Sequence, residues 1–256
     1  MAALFAAGAQ GVHEDGGALV TSFPDERGAR AAAAAAQAAD PSASCDLWPA
    51  VNVDWSRAWR DHTRVVTLGS LTVAPPWLAG GLDRRRTVVI DPGMAFGTGD
   101  HASTRGALLL LQDAIRDGST VADLGSGSAI LSIAAAKLGA SRVWAIEIDA
   151  EAQGNAAANV DENDVGDVVH LLEGDAALLL PLIAPVDVIT ANIISSVIIE
   201  MLPAIGEAIT AGGYAILAGI MESEHDVVVD TLGDNDWQLR RTHVEEEWWS
   251  ALAQRR

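Results

Sequence analysis

The chain has 256 residues, half of them hydrophobic, with 16 Lys and Arg against 35 Asp and Glu and a formal net charge of −19 at pH 7; that length holds one large domain or one domain with a smaller companion, and enough apolar residues for a substantial core. The charge excludes tight nucleic-acid binding through a basic face, and the single cysteine, Cys45, excludes a disulfide framework or a cysteine-rich metal site. No apolar run reaches bilayer length and no basic segment precedes the short apolar stretch at the N-terminus, so a cytoplasmic, soluble protein that touches neither nucleic acid nor membrane is expected.

Residues 1–50 read as a separate, alanine-rich piece. Leu4–Ala9 reads as the tail of a helix, Gly11–His13 and Ala18–Ser22 as strand fragments around a Gly16-Gly17 turn, and Glu26–Ala39 as a helix stopped by Asp40-Pro41. This piece carries too little bulky apolar surface to fold well alone. Residues 51–86 read as a connection. In it Trp55 and Trp59 share a helical face suited to docking on a neighbouring domain. The segment LTVAPPW is a short strand ended by Pro75-Pro76, and Arg84–Arg86 is a solvated basic turn.

A larger domain is expected over 87–256. A strand, Val88–Ile90, leads into a glycine-rich loop, and a helix starts near Ser103–Thr104. Gly97 and Gly99 permit close backbone approach to a ligand, and Thr104 offers a hydroxyl at the helix start. His101 beside the turn is read as structural rather than as a base or ligand, and the absence of a following Walker lysine excludes a P-loop.

The next stretch, Thr120–Glu147, organises the rest. It reads as strand, glycine turn, helix and strand, with Gly139 as the helix C-cap. Such a βαβ unit folds right-handed into a parallel sheet. Its glycine turn lets a ligand meet the backbone, and an acid ending the second strand, Glu147, suits ribose hydroxyls. A nucleoside-bearing cofactor is therefore expected. The dinucleotide fingerprint fails, because Ile130 stands three residues after Gly127. Asp123, Gly125 and Gly127 instead form D-x-G-x-G, which resembles motif I of class I S-adenosylmethionine methyltransferases; a generic Rossmann-type site is the other reading. The lone lysine, Lys137, lies in this unit, the other basic residues being arginine. Either a high-salt or GC-rich source or a surface that steers a basic partner accounts for that acidic bias.

Beyond it come a helix over Ala150–Asn163 and a strand over Val168–Leu172. Asp175 then stands either against the adenine amino group or as a helix cap. Val186–Ala191 is the next strand, with Asn192 at the rim where open α/β sheets bind ligands, or as a strand-end cap. A helix over Ser195–Ala211 containing Pro203, and strands over Gly213–Ala218, Trp237–Glu246 and Trp248–Gln254, complete the chain.

In this order DPGMAFGTGDHASTR, DLGSGSAILSIAAAKLGA, IEID, VDVITANI, GYAILAGI and EEEWWSALAQRR resemble the methyltransferases of ribosomal protein L11, the PrmA family, from about Asp54 to the C-terminus. LFAAGAQGVHEDGGALVTSF resembles part of that family's small N-terminal domain. The resemblance implies a class I methyltransferase domain: α/β, Rossmann-like, with a mostly parallel seven-stranded sheet closed by an antiparallel pair. It also implies a small ferredoxin-like α+β domain over 1–50 that captures substrate, here lacking its first strand and most of its first helix. Ser126 stands where the family commonly has Cys, and Ala129 where it has a third glycine. The implied cofactor is S-adenosylmethionine, held by Phe96, Gly97, Thr98, Thr104, Asp123, Gly125, Gly127, Glu147, Asp175 and Asn192, with no metal. Asn192 is the implied catalytic residue, orienting the acceptor amine through its side-chain carbonyl. The implied substrates are the N-terminal α-amine and lysine ε-amines of ribosomal protein L11, modified by a monomer. A methyltransferase for another protein lysine or small amine, and a non-catalytic cofactor-binding module, are the alternatives.

Overall fold

The computed structural model describes residues 1–9, 11–48, 63–91, 93 and 96–256. The expected Trp55–Trp59 face lies outside them. The chain divides into two compact units, Met1–His62 and Thr63–Arg256.

The first unit runs α1 (Ala2–Ala6), β1 (His13–Asp15), β2 (Ala18–Val20) and α2 (Glu26–Ala39). The two strands form an antiparallel hairpin around Gly16 and Gly17, both at positive φ. The first strand begins at His13 rather than Gly11 and runs into the turn. Asp25 caps α2 by accepting from the Gly28 amide at 2.7 Å. Its described core consists of Ala9 and Ala32, while Phe5 and Leu19 stay exposed.

The second unit opens with a small sheet in the order β3 (Val66–Leu68), β4 (Leu71–Ala74), β5 (Thr87–Val89). Two of these strands, β3 and the expected β4, fall within the segment read as a connection, and Leu68, Leu71 and Val73 are buried in the core of this unit. The Arg84 turn is also more than solvated. Arg84 pairs with Glu162 and Asp164 at 3.4 Å, and Lys137 Nζ donates to the Arg84 carbonyl at 2.8 Å.

The main sheet follows from α3 (Ala102–Ala114), β6 (Thr120–Leu124), α4 (Ile130–Lys137), β7 (Arg142–Glu147), α5 (Ala150–Glu162), β8 (Val169–Glu173), α6 (Ala176–Ile183), β9 (Val186–Asn192), α7 (Ser195–Ala208), β10 (Ile209–Met221), α8 (His225–Asp234), β11 (Trp237–Glu245) and β12 (Trp248–Arg255). Its order is β11-β12-β10-β9-β6-β7-β8. Neighbours are parallel from β10 to β8, and β12 runs antiparallel to both β10 and β11. The expected seven-stranded α/β sheet with its antiparallel closure is therefore present. Val121, Ala122 and Leu124 of β6 are wholly buried because helices cover both faces, which is why this strand reads as an apolar run. One core layer holds α3, α4 and α5 residues, the other α6, α7 and α8 residues. The helix expected to reach Ala211 ends at Ala208, where β10 begins at once beside β9. Among the described residues no helix is long and apolar enough to cross a membrane.

One device fixes the entry to the glycine-rich loop. Asn155, Asn159 and Asn163 recur every four residues along α5 and its C-cap, so they share one face. Asn163 Oδ1 accepts from the Val89 amide at 2.9 Å and its Nδ2 donates back to the Val89 carbonyl at 2.6 Å. Asn159 Oδ1 accepts from the Asp91 amide at 2.9 Å, and Asn155 Nδ2 donates to the Asp91 carbonyl at 3.0 Å. The three amides take the place of a further strand along the free edge of β5.

Candidate functional site

β6 and β9 are neighbours, yet the chain leaves β6 toward β7 and β9 toward β10. Their following connections part, and a crevice opens at the carboxyl ends of the strands. Its volume is about 340 Å³, within the range of small-molecule sites. Phe96 and Gly97 line it from the loop before α3, Gly125, Ser126 and Gly127 from the turn after β6, and Glu147 and Ile148 from the end of β7. Asn192, Ile193 and Ile194 close it beyond β9, and Ile130 and Leu131 of α4 add apolar wall. The structure thus brings together six of the expected site residues: Phe96, Gly97, Gly125, Gly127, Glu147 and Asn192.

The loop and the turn are built against each other. Ser128 donates through its amide to the Phe96 carbonyl at 2.9 Å and through its hydroxyl to the Gly97 carbonyl at 2.6 Å. Gly127 has φ +52°, and a Cβ there would stand 2.6 Å from the Phe96 carbonyl oxygen. Gly97 has φ +101°, and its Cβ would meet Ser128 Oγ at 2.8 Å. Only glycine fits either place. Ala129, in the family's third-glycine position, sits at φ 65° and N-caps α4 without a side-chain bond.

The amides of residues 125–129 are all engaged within the chain. The Gly125 and Ser126 amides donate to the Ile146 carbonyl, Gly127 to Glu147 Oε2 at 2.8 Å, Ser128 to Phe96 and Ala129 to the Ser126 carbonyl. Glu147 Oε1 accepts from the Asp149 amide at 3.0 Å. Three polar side chains line the crevice: Ser126, Glu147 and Asn192. Asn192 Nδ2 donates to Thr104 Oγ1 at 3.2 Å, and its Oδ1 is buried without a partner. Ser126 Oγ is likewise buried and unpaired.

The remaining expected residues stand behind or beside this pocket. Thr104 is fully buried in the first turn of α3 and reaches the site through Asn192. Thr98 Oγ1 accepts from the Asp100 amide at 3.4 Å within the loop. Asp123 is 1% exposed and accepts from Ser132 Oγ and Thr190 Oγ1, both at 2.6 Å. Burial pushes its carboxyl above the usual range, and the charge of Glu147 adds to that, while the two hydroxyls oppose it. Asp175 is exposed and caps α6 through the Ala177 amide at 2.8 Å, as its capping reading expects. His101 caps α3 through Nδ1, in keeping with a structural role, and its ring lies edge-on between Phe96 at 5.2 Å and Trp248 at 4.6 Å. Beside it Arg105 bonds Glu245 at 2.9 Å and holds that carboxyl below its ordinary value. The unpaired Ser126 hydroxyl and the run of rings escape sequence reasoning, since hydroxyl partners leave no local signal and Trp248 comes from a distant hairpin.

Comparison with known proteins follows this geometry. The family described as "Ribosomal protein L11 methyltransferase (PrmA)" matches residues 10–256. A ribosomal protein L11 methyltransferase of Pediococcus pentosaceus is 36% identical over 206 residues, covering 79% of this chain and 65% of the relative. That of Pelotomaculum thermopropionicum is 39% identical over 204 residues, with the same coverages. The chain spans about 65% of the length of these relatives. The crystal structure of a ribosomal protein L11 methylase from Lactobacillus delbrueckii subsp. bulgaricus superposes with a TM-score of 0.67 at 30% identity, covering 75% of this chain and 98% of that one. A precorrin-6y C5,15-methyltransferase from Geobacter metallireducens shares the fold, with a TM-score of 0.51 at 18% identity over 59% of this chain and 85% of that one.

Proposed function

We propose that this chain, which belongs to the ribosomal protein L11 methyltransferase (PrmA) family, transfers methyl groups from S-adenosylmethionine to amines of ribosomal protein L11. The observation that carries the reading is Asn192: Thr104 holds its amide nitrogen and leaves a buried carbonyl oxygen unpaired at the crevice. The crevice suits the cofactor. Glu147 ends β7 with a carboxylate able to accept from ribose hydroxyls in addition to the backbone amides it already holds. Ile148, Ile130 and Leu131 offer apolar wall, and Gly125 and Gly127 admit the methionine part. The loop of Phe96, Gly97 and Thr98 borders the ligand, Asp175 lies toward adenine, and Asp123 supports the turn from within the core.

S-adenosylmethionine supplies, when bound, a methyl group on a positively charged sulfur, whose in-line transfer needs alignment more than a strong base. Asn192 Oδ1 accepts a hydrogen from the acceptor amine and so aims its lone pair. The apolar crevice disfavours the ammonium form, lowering the amine from its ordinary pKa near about 10.4. The run of rings Phe96, His101 and Trp248 gives a cationic or methylated amine aromatic faces to rest against. The acceptors in this reading are lysine ε-amines and the N-terminal α-amine, in the cytoplasm, with the enzyme a monomer and residues 1–50 contributing to substrate capture.

The test is Asn192→Ala. S-adenosylhomocysteine binding, read by calorimetry, stays within about threefold, while radiolabelled methyl transfer into purified L11 falls by about a hundredfold. Unchanged turnover removes Asn192 from the chemistry. Label entering another lysate protein in preference to L11 moves the assignment to a different acceptor.

A further inference from the structure

Ser126 is 6% exposed, its hydroxyl has no partner among the described residues, and it lines the crevice between Gly125 and Gly127. A buried hydroxyl left unpaired is unfavourable, and in a ligand crevice a bound group relieves it. Of the three polar side chains lining the crevice, Glu147 is an acceptor and repels an anion. Asn192 commits one N–H of its amide to Thr104 and leaves its oxygen unpaired among the described residues. The turn amides of residues 125–129 are all taken within the chain. Among the described residues, Ser126 Oγ is therefore the lining hydroxyl that has no partner of its own and can donate to a negatively charged end of a ligand.

We propose that the Ser126 hydroxyl binds the cofactor, donating a hydrogen bond to the carboxylate at its amino-acid end. The assignment rests on the cofactor reading above and adds a contact specific to this chain, whose turn carries a hydroxyl where the family commonly carries a thiol. A thiol is the weaker donor, so the exchange strengthens this contact.

Two ligands separate the possibilities: S-adenosylhomocysteine, which has the carboxylate, and methylthioadenosine, which has the nucleoside and sulfur but no amino-acid end. Calorimetry on Ser126→Ala is expected to show S-adenosylhomocysteine weakened about tenfold and methylthioadenosine changed by less than about twofold. Ser126→Cys behaves within about threefold of Ser126→Ala. The thermal midpoint of the ligand-free Ser126→Ala protein stays level or rises, because an unpaired buried hydroxyl has been removed; a structural hydroxyl would lower it. Equal losses for both ligands, no loss for either, or a lowered ligand-free midpoint overturns the proposal. Failure of the unsubstituted protein to bind S-adenosylhomocysteine at all overturns the cofactor reading instead.

Discussion

Asp123, expected as a cofactor contact in D-x-G-x-G, is buried and braces α4 and β9 through Ser132 and Thr190. Burial raises its carboxyl above the ordinary 3.8. The unfolded chain therefore releases this proton first as pH rises, so the folded state loses stability between that value and the raised one. Asp123→Asn carries no such proton. Urea midpoints of the two proteins should diverge with pH, the advantage of the aspartate shrinking as pH rises above about 4; a constant difference contradicts the linkage. That Glu147 and Asn192 end strands, and that Gly125 and Gly127 turn the chain just after one, was legible from the sequence, and these positions line the crevice. Asp175 read equally as a cap and as a contact, since capping uses the same residue type at the same spot. Ser126 was marked only as a departure from the family's turn, because a hydroxyl's partners are decided by neighbours far along the chain.

At the scale of elements, the asparagine row of α5 carries a graded cost. Asn163, 4% exposed, satisfies both backbone groups of Val89. Asn163→Ala leaves them unpaired in the core and is expected to cost about 2–4 kcal/mol. Asn155 is partly exposed and makes one bond to the Asp91 carbonyl, so Asn155→Ala should cost less than about 1 kcal/mol. Chemical denaturation of both variants checks the order, and equal costs would contradict it. Strands β6, β7 and β9 and helices α2 to α5 were readable from periodicity and glycine punctuation. Helices α6 and α8 were not. AALLLPLI is apolar all round and contains Pro181, and the run Val227–Val229 favours strand until β11 and α7 cover one face. In the small sheet β4 and β5 were expected as short strands, whereas β3 was hidden because three residues carry too few alternations to show a period.

Across the whole molecule, the two units differ in how much apolar surface they bury. The second has a core layer on each face of seven strands, whereas the first has a two-stranded hairpin and two buried alanines among its described residues. A lone hairpin is marginal in water, and an alanine helix gains little from packing. Amides of β1, β2 and α2 are therefore expected to exchange at least about a hundredfold faster than those of β6 and β9 in native-state hydrogen exchange. Matching protection in both sets would show the first unit to be held by more than its own contacts.

The carboxylate of Glu147 grips the Gly127 amide while standing where a ribose is proposed to bind. One side chain is then both the latch of the turn and the hook for the sugar. Redesigning the enzyme for a different nucleoside by altering this acid would loosen the floor under the new ligand at the same moment. Retargeting has to supply a second tether for Gly127 before the acid is exchanged.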